Sequence, residues 1–211
     1  MTEEHVPDHL AEATDEQLLA AYCTGSDEAF ELLMTRYQRE LLFFIRRFVH
    51  ENAAAEDVFQ ETFIQLHISA DTFDTSRRFR PWLFTIAANK ARDALRKSGR
   101  QRSTPVSAMG SADSDAPSLI DLLQADVPQP SETAEAAELG EQVRQLVSEL
   151  PDHLREVLLL AYFHQFPYKD IAEMLSVPLG TVKSRLHAAV GTFAELWKSR
   201  MKDRTDDDPA A

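Results

Sequence analysis

Apolar residues recur along most of this chain at steps of three and four, the period of an amphipathic helix. Between Asp27 and His50 the row is Phe30, Leu33, Met34, Tyr37, Leu41, Phe44, Ile45 and Phe48. That stripe predicts one long helix with its apolar side in a core. Before it, Thr14-Asp15-Glu16-Gln17 reads as a capping box, with Leu18, Leu19 and Tyr22 on the apolar side of the helix it opens. Residues 54–69 give a third helix, with Val58, Phe59, Thr62, Phe63 and Leu66 inward and Glu56, Asp57, Gln60 and Glu61 outward. Pro81 suits the first turn of a fourth, whose apolar face is Trp82, Leu83, Ile86, Ala87 and Leu95. A second series starts at Ser131 and carries Leu139, Val143, Leu146 and Val147 inward. Next comes one helix over PDHLREVLLLAYF from Pro151, apolar enough in its second half to be buried.

The stretch from Phe166 to Val190 breaks this rhythm in an informative way. A short helix, Tyr168 to Leu175, stops at Ser176-Val177-Pro178, and another begins near Gly180-Thr181 and runs to about Met201. Val182, Leu186, Ala189 and Phe193 share one face of it; Lys183, Ser184 and His187 lie opposite. This is the pattern of a helix-turn-helix, whose second helix enters a DNA major groove. An ordinary helical hairpin with a solvated outer face would give the same periodicity.

Two stretches interrupt the helices. Residues 1–13 are expected to be a disordered tail. Residues 103–131, rich in Ser, Asp and Pro, are expected to be a flexible acidic linker with one small apolar island at Leu119–Leu123. The expected architecture is therefore all-α: a helical domain over 14–102, the linker, a second helical domain over 132–202 ending in the helix-turn-helix, and an acidic tail over 203–211.

Charge changes this picture. The net charge of −13 argues against a nucleic-acid partner, but it is unevenly spread. Residues 1–35 hold nine acids and no Lys or Arg, and residues 111–141 hold eight acids and none either. Residues 77–102 hold nine bases against Asp93 alone, a local charge of +8. Screening confines a phosphate contact to charges within about 10 Å, so the segment matters more than the average. A basic helix with an aromatic residue suits nucleic acid, with the bases on phosphates and the ring on an unpaired base.

Other classes find little support. Cys23 is alone, so no intrachain disulfide forms and a reducing compartment is expected. The acidic first residues lack an apolar core, and no apolar run reaches the roughly 20 residues that span a bilayer, so membrane insertion is not expected. The seven His are scattered, and Asp57 with Glu61 lacks a companion His ligand. Neither a metal site, nor a cofactor site, nor a nucleophile motif emerges. A cytoplasmic, non-enzymatic protein is the expectation.

Three stretches, in this order and spacing, resemble the extracytoplasmic-function (ECF) branch of bacterial RNA polymerase sigma factors. They are AEDVFQETFIQLH at 55–67, FRPWLFTIAANKARDALRK at 79–97 and LPDHLREVLLLAYFHQFPYKDIAEMLSVPLGTVKSRLHAA at 150–189. The resemblance implies a subunit that binds core RNA polymerase and directs initiation at a subset of promoters. It places core-polymerase docking at Asp57, Gln60 and Glu61. It implies contact with the promoter −10 element at Trp82 and Asn89, with Arg92, Arg96 and Lys97 on phosphates. The −35 element falls to Thr181, Lys183, Ser184, Arg185 and His187. The linker would thread towards the polymerase channel, its acids standing in for nucleic-acid charge, and an anti-sigma protein is the expected inhibitor. Two positions depart from the family pattern: Ala88 and Ala188 stand where a basic residue is usual, which predicts weaker or differently specified DNA contacts. The competing expectation is a stand-alone helix-turn-helix regulator that binds duplex DNA without polymerase. Such a regulator needs neither the acidic face at 57–61 nor the basic helix.

Overall fold

A computed structural model of the chain describes residues 8–49, 51–98 and 134–206. The expected linker over 103–131 lies outside the described residues. All regular elements among the described residues are helical, in two compact units, Met1–Gly99 and Arg100–Ala211.

The first unit comprises α1 (Asp8–Ala11), α2 (Asp15–Cys23), α3 (Asp27–Val49), α4 (Asn52–Ser69) and α5 (Phe79–Lys97), with a 3-10 turn at Ala70–Thr72. The capping box forms as the sequence implies. Thr14 Oγ1 accepts from the Gln17 backbone N–H at 3.3 Å, and Gln17 Oε1 accepts from the Thr14 N–H at 2.8 Å. Gly25 ends α2 at φ +104, a conformation that favours glycine.

The apolar stripe of α3 is the centre of the core. Leu33, Leu41, Phe44, Ile45 and Phe48 are fully buried, and Phe44 packs on Phe48 and on Phe84 of α5, with ring centroids 5.8 and 5.4 Å away. Phe30 and Met34, at the amino-terminal end of the stripe, are only half-buried. Thr62 sits among apolar neighbours because its hydroxyl donates to the Val58 carbonyl at 2.7 Å, which satisfies the buried polar group. Glu16 of α2 accepts from the Phe79 N–H at 2.8 Å and so caps α5 from another helix.

The expected disordered tail over 1–13 needs correction at 8–13. Leu10 is buried, and Arg36 donates to the Ala11 and Ala13 carbonyls at 3.0 and 2.8 Å and to Asp15 at 2.9 Å. An arginine fork from α3 holds backbone that has too little apolar sequence of its own to signal structure.

The second unit comprises α6 (Ala134–Glu149), α7 (Asp152–Leu158), α8 (Tyr168–Leu175) and α9 (Leu179–Asp206). The expected single helix over PDHLREVLLLAYF is α7 followed by a π turn, Leu159–Phe163. The wider turn adds a residue to the helical register, so Leu159, Leu160, Phe163 and Phe166 all reach the core. The expected acidic tail from 203 also changes, because α9 continues to Asp206.

Val182, Leu186, Ala189 and Phe193 of α9 are buried against α7 and α8. Buried Arg155 ties the α6–α7 junction, donating to the Ser148 and Leu150 carbonyls at 3.2 and 3.0 Å and to Asp152 at 2.7 Å. Farther along α9, Arg200 reaches back to α6, to Gln145 at 3.0 Å and Glu149 at 2.5 Å.

Candidate nucleic-acid and polymerase interface

In the first unit the outer face of α4 presents Glu56, Asp57, Gln60 and Glu61, all exposed. Two residues that the sequence analysis missed lengthen this face: Ile64 is 58% exposed and Ile68 66%. The signal was present. Asp57, Glu61, Ile64 and Ile68 form a row of their own at steps of four, three and four, offset from the buried row Val58, Thr62 and Leu66. Helix α5 packs beside α4, and Lys90 Nζ stands 3.8 Å from Glu61 Oε2. The acidic face and the basic helix are therefore adjoining parts of one surface.

On α5, Trp82, Asn89 and Arg96 recur every seven residues and fall on one side, with Arg92 between the last two and Lys97 next to them. Asn89, Arg96 and Lys97 are exposed, whereas Trp82 and Arg92 are half-buried. Trp82 leans on Phe73, 4.5 Å between centroids, and on Phe79, at 6.0 Å, which leaves part of its ring for contact. Arg92 donates to Asn89 Oδ1 at 2.6 Å and to the Ala88 carbonyl at 3.3 Å, and Arg96 donates to Asp93 at 2.5 Å. These short-range bonds hold long side chains in place before any ligand arrives, which lowers the ordering cost of binding. Ala88 itself is fully buried, so in this chain that position contributes to packing rather than to the exposed face.

In the second unit, Pro178 opens α9, its carbonyl accepting from the Thr181 and Val182 N–H groups at 2.9 and 3.2 Å. Lys183, Ser184 and His187 are exposed along the outer face, as the periodicity implies. Thr181 and Arg185 are half-buried at its edges, and Ser184 Oγ donates to the Thr181 carbonyl at 3.1 Å. Arg185 lies near His153 of α7. Partial desolvation and that guanidinium together hold the His153 imidazole below its usual pKa. Ala188 is half-buried. The turn between α8 and α9 places Ser176 in the left-handed region, φ 53 and ψ 43.

Among the described residues no group of three or more His, Cys, Asp and Glu side chains is placed to hold a metal ion. No described helix is long and apolar enough to cross a membrane.

A helical unit with an acidic face beside a basic helix, and a second carrying a helix-turn-helix, define a two-domain DNA-binding transcription protein. Comparison with known proteins gives the family. Sigma-70 region 2 matches residues 33–101, and Sigma-70, region 4 matches residues 140–192. The chain is 34% identical over 180 residues to the RNA polymerase sigma-H factor of Pseudomonas aeruginosa, covering 85% of this chain and 92% of that one. It is 30% identical over 163 residues to the ECF RNA polymerase sigma factor SigW of Bacillus subtilis, covering 77% and 86%. A solved structure of the sigma factor RpoE in complex with the anti-sigma factor NepR from Bartonella quintana shares the fold. There the TM-score is 0.60 at 24% identity, over 80% of this chain and 96% of that one. The chain belongs to the ECF branch of the bacterial RNA polymerase sigma factors, and it directs promoter-specific transcription initiation. The stand-alone regulator is not favoured, since its domain plan has no use for region 2.

Proposed function

We propose that the two exposed surfaces divide the work of promoter engagement. The α4 face, with Asp57, Gln60 and Glu61, docks on a basic surface of core RNA polymerase, and Ile64 and Ile68 add apolar contact to it. The α5 row contacts the −10 element: Trp82 stacks on an unpaired base, Asn89 reads a base edge, and Arg92, Arg96 and Lys97 hold phosphates. The α9 face contacts the −35 element through Thr181, Lys183, Ser184, Arg185 and His187, with Arg185 restricted to the edge by its half-buried position. The chain performs no catalysis of its own and acts in the cytoplasm. An anti-sigma protein is proposed as its inhibitor. That partner kind is the one seen with RpoE of Bartonella quintana, whose fold this chain shares.

The observation that carries this reading is the adjacency of the acidic α4 face and the basic α5 row, linked at Glu61 and Lys90. A duplex-only regulator has no use for such a pairing, whereas a protein held on a polymerase while DNA is opened beside it does. The decisive experiment is in vitro transcription with core polymerase and this chain, with start sites mapped. Specific transcripts that disappear without the chain are expected. Failure to form a stable complex with core would overturn the reading.

A further inference from the structure

Leu179 and Gly180 open α9 and differ from the residues around them in opposite ways. Leu179 is 42% exposed, one of four large apolar side chains so exposed among the described residues. It stands on the line of Lys183 and His187, at four-residue steps along the outer face. Gly180 lacks a side chain where nothing in the chain requires it to. A Cβ there would meet no heavy atom within 4 Å, and its backbone is helical. Meanwhile the two left-handed positions flanking α8, where glycine would relieve strain, hold Gln165 and Ser176, both at φ 53. Glycine in a helix is less stable than alanine, and packing within the chain requires neither Gly180 nor Gly191. Gly180 differs from Gly191 in its place, the first turn of α9 beside exposed Leu179.

The first turn of a recognition helix is the part that comes nearest to base edges. This turn holds no acidic residue, and Lys183 follows one turn on, which suits a polyanion better than an apolar protein surface. We propose that Gly180 gives clearance for close approach of the promoter duplex, and that Leu179 packs against the C5 methyl of a thymine in the major groove. Leu179 is then a specificity residue, because among the four bases only thymine presents a methyl group there. This inference rests on the assignment of α9 to the −35 element.

The test uses the full chain with core polymerase. The upstream duplex sequence is first selected by the wild-type complex from a promoter library randomised in that region. Each thymine of the selected sequence is then replaced singly by deoxyuridine, which removes only the methyl. One replacement is expected to weaken wild-type binding about fourfold, the worth of one buried methyl group, and to leave Leu179→Ala binding unchanged. Gly180→Ala is expected to raise the melting temperature of the free chain by about 2–4 °C while weakening duplex binding about tenfold or more. Gly191 is the matched control: its Cβ would also meet nothing, but it lies about 16 Å farther along the helix. Gly191→Ala should give the same thermal gain with duplex binding unchanged. A Gly180→Ala chain that melts lower, or that binds duplex as tightly as wild type, overturns the clearance role. The methyl contact falls if no thymine distinguishes wild type from Leu179→Ala. If the library yields no enriched upstream sequence, the −35 assignment itself fails and this inference falls with it.

Discussion

Tyr37 shows how one side chain can set the alkaline limit of the first unit. Its hydroxyl donates to Asp15 at 2.5 Å from the core edge of α3. Burial first, and then the Asp15 carboxylate, push the phenol far above its ordinary value. A raised folded pKa means that the contribution to stability is complete below the unfolded value, about 10, and is lost as pH rises past it. Wild-type stability should therefore fall steadily as pH rises above about 10, and fall less steeply in Tyr37→Phe. At neutral pH that variant should lose about 1 kcal/mol, the net worth of a hydrogen bond. Urea unfolding across pH checks both. Ser176 offers the opposite case, a residue in a left-handed conformation at an exposed turn. Ser176→Gly should stabilise the second unit by about 1 kcal/mol, whereas Ser176→Val should destabilise it by at least as much. Equal melting temperatures for the three chains would show that the turn is not strained.

At the scale of the helix, charge and exposure separate α4 from α5. Asp57 is not a partner in the Glu61–Lys90 pair, so Asp57→Lys changes the docking face while Glu61 and Lys90 both remain. It should weaken binding to core polymerase about tenfold, by setting a cation against the basic surface proposed for the partner. Binding of the isolated chain to duplex DNA should not weaken, since the change removes net negative charge. Arg96→Ala with Lys97→Ala removes two proposed phosphate contacts. It should flatten the slope of log affinity against log salt by about 1.4 for single-stranded −10 DNA in the complex with polymerase. An unchanged slope would move those two side chains off the DNA path. Lys183→Ala should reduce −35 dependence and leave −10 dependence in place, as measured by transcription from promoters altered at one element at a time.

The whole molecule poses the problem of an acidic protein that binds DNA. With a net charge of −13, the free chain should repel duplex even though α5 carries a dense row of bases. In the proposed arrangement polymerase holds the chain in place, so that local rather than total charge decides the contact. The free chain should accordingly bind promoter duplex at least about tenfold more weakly than its complex with core, with the gap widening as salt falls below about 0.1 M. Anisotropy titrations with and without core give the comparison directly.

Much of this protein was determined by its sequence alone. Three- and four-residue apolar spacing, the Thr14 capping box and the break at Ser176–Pro178 are local signals, and each marked its helix because helix formation depends on nearest turns. The outer row Lys183, Ser184 and His187 was legible for the same reason, since burial of Val182, Leu186 and Ala189 leaves it nowhere else to face. Tertiary structure decided what depends on residues distant in the chain. Arg36 holds residues 8–13 from 23 or more positions away, and Glu16 caps α5 across 63. The π turn at Leu159–Phe163 arises because packing, not periodicity, dictates which apolar side chains must reach the core. The row that carries Ile64 and Ile68 was legible as an offset from the buried one, but that it stays uncovered, and that Leu179 is exposed, is a property of the folded unit. The open space around Gly180 is likewise a property of the folded surface, and it is there that the proposed close contact with DNA became visible.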